Sequence, residues 1–230
     1  MPGQWPLAVV FDCDGLLLDT AACWHAAYES VALELGASMR DIDLEALNGA
    51  SVALAAQRLG VMLGAQVAPS LLRCELEDLV LSMPMDAMPG APTLLEMLVS
   101  EMPLAVATNA PIEFVTAALR RAGLLDFFSI IVSAEQTSAP KPHPDVYLEA
   151  CRQLEVDPSD AVAFEDSVLG AAAARAASLL VVAVPSTREA QMDADLTVGR
   201  LDDSRVLGLL GLGDGSQWRR AGSQRRRAVG

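Results

Sequence analysis

The nine residues from Leu7 to Gly15 constrain the fold of this 230-residue chain more than any other segment. They begin with the apolar run LAVVF and end with Asp12, Cys13, Asp14 and the glycine. A continuous apolar run of this length is typical of a strand buried on both faces of a parallel sheet. Two carboxylates at the end of such a strand repel each other and resist desolvation. We therefore expect that a divalent cation offsets their charge or that a reaction requires them.

Further apolar runs of strand length follow, and helical patterns separate most of them. This alternation predicts an α/β fold, in which helices flank a parallel sheet. Helices are expected to begin at Pro111, at Pro144 and after Ser167. The predicted strands span residues 7–11, 104–107, 130–132, 161–164 and 179–184.

The segment between Thr20 and about Met85 shows helical patterns and no strand candidate. Pro84 and the Pro89-Gly90 pair bound it on the far side. We expect residues 19–86 to form a helical cap inserted into an α/β core made of residues 1–18 and 87–212. Residues 213–230 are rich in Gly, Ser and Arg and predict a disordered basic tail.

The charge and cysteine content limit the partners and the compartment. Sixteen basic and 30 acidic residues give a formal net charge of -14, which repels nucleic acid and anionic membranes. No apolar run approaches the roughly 18 residues that a membrane-spanning helix needs. The four cysteines show no paired short spacing, and no secretory segment is recognisable. We expect a cytoplasmic protein that binds neither nucleic acid nor membranes.

Four groups of polar residues follow predicted strands, where ligands of open parallel sheets gather. Each group also has a structural explanation: Thr108, Asn109 or Asp166 could cap a following helix, and Lys141 could be a solvated loop charge. Their coincidence favours one shared site. The groups are Asp12 with Asp14, Thr108 with Asn109, Lys141, and Glu165 with Asp166.

Lys141 is the only lysine among the sixteen basic residues. Because an ammonium is more compact than a guanidinium, a lone lysine suggests a site too tight for arginine. Chance in an arginine-rich composition is the alternative explanation.

Several carboxylates in one crevice form the hard oxygen site that Mg²⁺ occupies. With the metal and Lys141 offsetting the charge, Asp12 can attack phosphorus and form an aspartyl phosphate. Thr108 and Asn109 could hold the phosphoryl oxygens. Asp14 is then placed to protonate the leaving oxygen and later to accept a proton from water.

The residues named above resemble the motifs of the haloacid dehalogenase (HAD) superfamily over residues 7 to 186. Asp12-x-Asp14-Gly15 resembles the nucleophile motif, and Thr108 the phosphate-binding hydroxyl. Lys141 in the run KPHPD resembles the lysine motif, and the run FEDSVLGAAA at 164–173 the metal motif. The similarity is to subfamily I, whose helical C1 cap follows the first strand, in its sugar-phosphatase-like and β-phosphoglucomutase-like branch.

The resemblance implies a Rossmann-like core and assigns roles to the motif residues. Asp12 would be the nucleophile and a metal ligand, the carbonyl of Asp14 and a carboxylate oxygen of Asp166 would ligate Mg²⁺, and Glu165 would support the metal site. Ser178 departs from the pattern, since relatives commonly have glycine before the last strand.

The predicted function is Mg²⁺-dependent hydrolysis of a small phosphorylated metabolite, with a sugar phosphate as candidate substrate. A phosphosugar mutase of the β-phosphoglucomutase kind is the alternative. Those enzymes have an arginine in the cap where this chain has Val52 after Asn48-Gly49-Ala50-Ser51, and a histidine where Trp24 stands. A non-catalytic phosphate-binding module is a third hypothesis, but the nucleophile and the lysine are both present.

Trp24 and His25, on the first predicted cap helix, are candidate contacts with the substrate. Packing inside the cap is the alternative explanation for Trp24 and for Tyr28. The oligomeric state stays open.

Overall fold

The computed structural model describes residues 6–47, 50–185 and 191–212, without the side chain of Glu45. These residues form one six-stranded sheet in which every strand pair is parallel. The strands are β1 (Ala8–Phe11), β2 (Leu104–Thr108), β3 (Ile130–Ser133), β4 (Ala161–Glu165), β5 (Leu180–Ala183) and β6 (Leu196–Thr197).

The strand order is β3-β2-β1-β4-β5-β6, the arrangement typical of a Rossmann-like sheet. Strands β1 to β5 match the five predicted apolar runs to within one residue at each end. Every residue of β1, β2 and β4 is buried, which explains why these strands are uniformly apolar until their carboxyl ends. The α/β fold class predicted from the sequence is confirmed.

Helices cover both faces of the sheet. The helices predicted to begin near Pro111 and Pro144 and after Ser167 are α6, α7 and α8. The helices are α1 (Ala21–Glu34), α2 (Leu44–Leu47), α3 (Val52–Met62), α4 (Pro69–Ser82), α5 (Ala91–Leu98), α6 (Ile112–Arg121), α7 (Asp145–Gln153), α8 (Val168–Ala176) and α9 (Ser204–Leu209). Short 3-10 helices span Met39–Asp41, Leu125–Phe127, Ala134–Gln136 and Pro158–Asp160.

Side chains of β1 alternate between two hydrophobic clusters, one on each face of the sheet. Val9 and Phe11 join a cluster that includes buried residues of α1, α3, α4, α5 and α6. Ala8 and Val10 join a second cluster, formed with buried residues of α7 and α8. The polar carboxyl ends of the strands therefore lie at the edge of the sheet, between the two hydrophobic clusters.

Within residues 20–86, the described positions contain helices and no strand. Hydrogen bonds join the backbone at the start of this segment to the backbone at its end. The amide of Asp19 donates to the carbonyl of Asp86 at 2.9 Å, and the amide of Met88 donates to the carbonyl of Leu17 at 2.8 Å. These contacts favour boundaries after residues 18 and 86, and the division into core and cap stays a prediction.

The predicted basic tail, residues 213–230, lies outside the described residues, as do Asn48 and Gly49. Within the described part of the chain, no helix combines the length and the apolar character needed to cross a bilayer.

Candidate active site

Polar side chains at the carboxyl edge of the sheet converge on the ammonium group of Lys141. Asp12 follows β1, Glu165 ends β4, and Lys141 lies in the connection between β3 and α7. The Lys141 Nζ donates to Asp12 Oδ1 at 2.5 Å and to Glu165 Oε1 at 2.6 Å. Parallel strands that end at one edge thus bring together residues that are far apart in sequence.

Lys141 is held at its backbone as well as at its ammonium group. Its amide donates to Asn109 Oδ1 at 2.8 Å, and Asn109 Nδ2 donates to its carbonyl at 3.4 Å. Only 4% of its side chain is exposed, so the alternative of a solvated loop charge is wrong. Asn109, predicted to contact phosphate, therefore also fixes the loop that carries the lysine.

The carboxylate of Glu165 accepts three hydrogen bonds inside the protein. Besides Lys141, the hydroxyl of Tyr147 donates to Oε1 at 2.5 Å and the hydroxyl of Ser167 donates to Oε2 at 3.2 Å. A β-carbon at Gly170 would overlap this carboxylate, so only glycine fits there. Ser167 caps α8 by accepting from the amide of Gly170 at 3.0 Å, so Asp166 is not the helix cap.

Three carboxylates lie close enough to share one cation. Oxygens of Asp12, Glu165 and Asp166 lie within 4.8 Å of one another, and all three residues are buried. Gly15 has a φ of +81°, and a β-carbon there would lie 2.5 Å from Asp166 Oδ2. Buried oxygen donors of this kind, approached closely by a glycine turn, fit the preferences of Mg²⁺.

The pKa values in this cluster reflect burial and charge together. Burial raises the pKa of Asp12. The positive charge of Lys141 lowers this pKa, and the negative charges of Glu165 and Asp166 raise it further. Burial lowers the pKa of Lys141, but the charges of Asp12 and Glu165 outweigh it and leave that pKa above its ordinary value. The charge of Lys141 thus favours the ionised form of Asp12, and a bound cation would favour it further.

Asp14 lies beside the first residues of the predicted cap. Its Oδ1 is buried and has no hydrogen-bond partner among the described residues. Burial raises the pKa of Asp14, and the polar hydrogens of Thr20 and Trp24 oppose that rise. Burial, with a smaller contribution from the charge of Asp14, raises the pKa of Tyr28 to about 12. The beginning of α1 therefore faces this carboxylate.

The two candidate cap contacts differ in position. Trp24 is half-buried, and its ring lies 5.5 Å from that of Phe114 and 6.1 Å from that of Tyr28. His25 is exposed to solvent. Trp24 thus joins α1 to α6 next to Asp14.

Thr108 is buried at the end of β2 and closes the turn that leads to α6. Its Oγ1 accepts from the amide of Ala110 at 3.1 Å. The hydroxyl of Ser133, at the end of β3, donates to the carbonyl of Ala110 at 2.7 Å. The helix itself begins after Pro111, so Thr108 is not its N-cap.

Sequence reasoning missed two of these polar residues. Ser133 directly follows a predicted strand, and the rule that identified Thr108 would have found it. Tyr147 gave no such signal, because Val146, Tyr147 and Ala150 have the spacing of an ordinary buried helix face.

Comparisons with known proteins agree with this geometry. The family model described as haloacid dehalogenase-like hydrolase matches residues 9–184. Fructose-1-phosphate phosphatase YqaB of Escherichia coli is 32% identical over 179 residues, which cover 76% of this chain and 95% of that protein. Beta-phosphoglucomutase of Bacillus subtilis is 30% identical over 211 residues, which cover 85% of this chain and 90% of that protein.

A similar solved structure is that of CbbY from Rhodobacter sphaeroides in complex with phosphate. It has a TM-score of 0.79 and 26% sequence identity, and the match covers 90% of this chain and 100% of that chain. The similarity therefore extends over the helical segment as well as the sheet.

Proposed function

Because this chain belongs to the haloacid dehalogenase-like hydrolase family, we propose that it is a Mg²⁺-dependent phosphatase of a small phosphorylated metabolite, with sugar phosphates as its substrate class. The observation that carries the proposal is the position of the Lys141 ammonium, which contacts Asp12 and Glu165 in a buried carboxylate cluster.

Asp12 is the proposed nucleophile. A carboxylate oxygen of Asp12 forms a bond to phosphorus while the bond from phosphorus to the leaving oxygen breaks, which gives an aspartyl phosphate. Lys141 lowers the negative charge that the approaching phosphate meets, and Thr108 and Asn109 are the proposed contacts for its oxygens.

Asp14 is the proposed proton carrier. Its raised pKa suits a carboxylic acid that gives its proton to the leaving oxygen. In the second half of the reaction, water attacks the phosphorus of the aspartyl phosphate and Asp14 takes up the proton of that water. The bond between Asp12 and phosphorus then breaks, which releases phosphate and restores both carboxyl groups.

Mg²⁺ would be held by carboxylate oxygens of Asp12 and Asp166 and by the main-chain carbonyl of Asp14. Glu165 has the supporting role, since its oxygens already accept hydrogen bonds from Lys141 and neighbouring hydroxyls. When bound, the metal supplies positive charge that offsets the charge of the phosphate.

The organisation around the site is part of the proposal. Residues 19–86 form the cap, and Trp24 and His25 are its candidate substrate contacts. Cytoplasmic location is inferred from four free cysteines, of which three are buried as thiols.

A phosphosugar mutase is the second candidate function, favoured by the 30% identity to a β-phosphoglucomutase. The two differ in the fate of the phosphoryl group. A hydrolase passes it to water, whereas a mutase returns it to another hydroxyl of the sugar. Phosphorus NMR of a hexose 1-phosphate, with and without a hexose bisphosphate primer, separates them. Release of phosphate faster than formation of the 6-phosphate supports the hydrolase.

The proposal is tested with purified protein, Mg²⁺, p-nitrophenyl phosphate and a panel of sugar phosphates. We expect phosphate release from the wild type, loss of release in Asp12→Asn and on chelation, and normal release in a control variant of the exposed Asp126, Asp126→Asn. Turnover in Asp12→Asn equal to that of the wild type would overturn the assignment of the nucleophile.

A further inference from the structure

Tyr147 places a polar group where the fold does not need one. It lies in the first turn of α7, and its side chain is fully buried among the apolar residues on one face of the sheet. A phenylalanine would fill nearly the same volume without the cost of burying a hydroxyl. That hydroxyl donates to Glu165 Oε1 at 2.5 Å.

The same glutamate oxygen accepts from Lys141 Nζ at 2.6 Å. A carboxylate oxygen offers two lone pairs, so the hydroxyl and the ammonium together occupy both sites of Oε1. Ser167 holds the other oxygen, at the longer distance of 3.2 Å. Of the two hydroxyl groups that hold this carboxylate, Tyr147 therefore makes the shorter hydrogen bond.

Tyr147 also contacts the lysine directly. The Lys141 Nζ lies 5.0 Å from the centroid of the tyrosine ring, within the range of a cation–π contact. One side chain therefore faces the ammonium with its ring and holds the counter-ion of that ammonium with its hydroxyl.

We propose that Tyr147 is a positioning residue, which keeps the Lys141 ammonium beside Asp12 by fixing the carboxylate of Glu165. This inference rests on the proposed function for its catalytic consequence only. Without the hydroxyl, the Glu165 carboxylate turns and draws the ammonium away from Asp12 Oδ1. Tyr147 acts in this proposal through its contacts with Glu165 and Lys141.

The single lysine of the sequence offers a direct readout. Protein labelled with [15N]lysine gives one side-chain ammonium signal, which reports the hydrogen bonds of Lys141 without catalysis, substrate or metal. We expect Tyr147→Phe, which keeps the ring, to shift or broaden this signal. The control Val146→Ala removes buried volume from the neighbouring position of α7 and should leave the signal unchanged.

Kinetics on p-nitrophenyl phosphate test the catalytic consequence. Loss of a group that orients a site residue commonly lowers activity about 10- to 100-fold. We expect Tyr147→Phe to lower kcat/KM by about 10-fold and Val146→Ala to leave it unchanged. In a Glu165→Gln background, the same loss of the hydroxyl should change kcat/KM little, because the group through which it acts is already altered.

Three results would overturn the inference: an ammonium signal in Tyr147→Phe identical to that of the wild type, an equal change of this signal in Val146→Ala, or a full effect of Tyr147→Phe in the Glu165→Gln background. A wild type that hydrolyses nothing, with the signal altered only in Tyr147→Phe, overturns the phosphatase proposal and supports the positioning role.

Discussion

The ammonium of Lys141 lies 2.5 Å from a carboxylate oxygen of Asp12, although 129 positions separate the two residues in sequence. Glu165 accepts from the same ammonium, and Asp166 lies in the same buried cluster of carboxylates. The cluster formally holds three carboxylates and one ammonium, which leaves it with net negative charge. The remaining negative charge is what a divalent cation would offset.

Replacing Lys141 by methionine should destabilise the protein at neutral pH. Removing one partner of a buried ion pair costs about 3–5 kcal/mol of unfolding free energy, because the other charge stays buried and unpaired. Urea unfolding in the absence of metal measures this. The control Arg152→Met removes an exposed partner of Glu149 and should change stability little.

The deficit of Lys141→Met should shrink as the pH falls. Burial already raises the pKa of Asp12, and loss of Lys141 removes the charge that opposes this rise. A carboxyl whose pKa is raised in the folded state costs no stability below its unfolded pKa. The cost grows as the pH rises from the unfolded to the folded pKa and is constant above it. A deficit that is independent of pH would contradict this explanation.

Mg²⁺ should raise the melting temperature of the wild type. Binding to the folded state stabilises it by about 2.7 kcal/mol when the metal is at 100 times its Kd. Because the pKa of Asp12 is raised, protons compete with the metal for its carboxylate. The increase in melting temperature should therefore be smaller at acidic than at neutral pH. Differential scanning fluorimetry of Asp166→Asn should show no increase, whereas Asp126→Asn should behave as the wild type.

Two glycines within helices should respond oppositely to substitution by alanine. At Gly170 the new methyl group would overlap the carboxylate of Glu165. We expect the free energy of unfolding to fall by about 1–3 kcal/mol and the activity to fall with it. At Gly60 it would make an ordinary contact with Leu72 at 3.6 Å, and better helix propensity should raise stability by about 0.5–1 kcal/mol. Chemical unfolding of both variants measures the contrast, and a stabilised Gly170→Ala would contradict the site geometry.

Ser178 has a φ of +73°, in the left-handed region at the end of α8. This conformation costs an L-residue about 1–2 kcal/mol, and the cost is smaller for glycine, which has no β-carbon. Ser178→Gly should therefore stabilise the protein by about 1 kcal/mol. Ser178→Ala keeps the strain and should give no gain. Equal melting temperatures for Ser178→Gly and Ser178→Ala would show that the left-handed conformation carries no measurable cost.

The sequence predicted the sheet well because its strands are buried on both faces. The side chains of β1, and those of β4 before Glu165, pack in hydrophobic layers, so both strands read as apolar runs whose ends are marked by Asp12 and Glu165. Strand β6, Leu196–Thr197, was not predicted, because two residues carry no periodicity. Helix starts were marked by prolines and by Ser167.

The sequence singled out polar residues that the fold brings together, but it did not show their contacts, and their roles stay predictions. Motif and strand position identified Lys141. Only the fold shows that Asn109 accepts from the backbone amide of Lys141, and that Asp12 and Glu165 both accept from its ammonium group. Tyr147 could not be distinguished from a core residue, because helical spacing shows which face is buried and not what a hydroxyl reaches.

The most direct test of the central claim is to identify the residue that carries the phosphoryl group. The wild type is mixed with Mg²⁺ and a ³²P-labelled substrate from the panel, quenched in acid within one turnover, and the labelled peptide is sequenced by mass spectrometry. We expect one phosphoryl group on Asp12, and none in Asp12→Asn. Substrate turnover without label on Asp12, or label on another residue, would contradict the account.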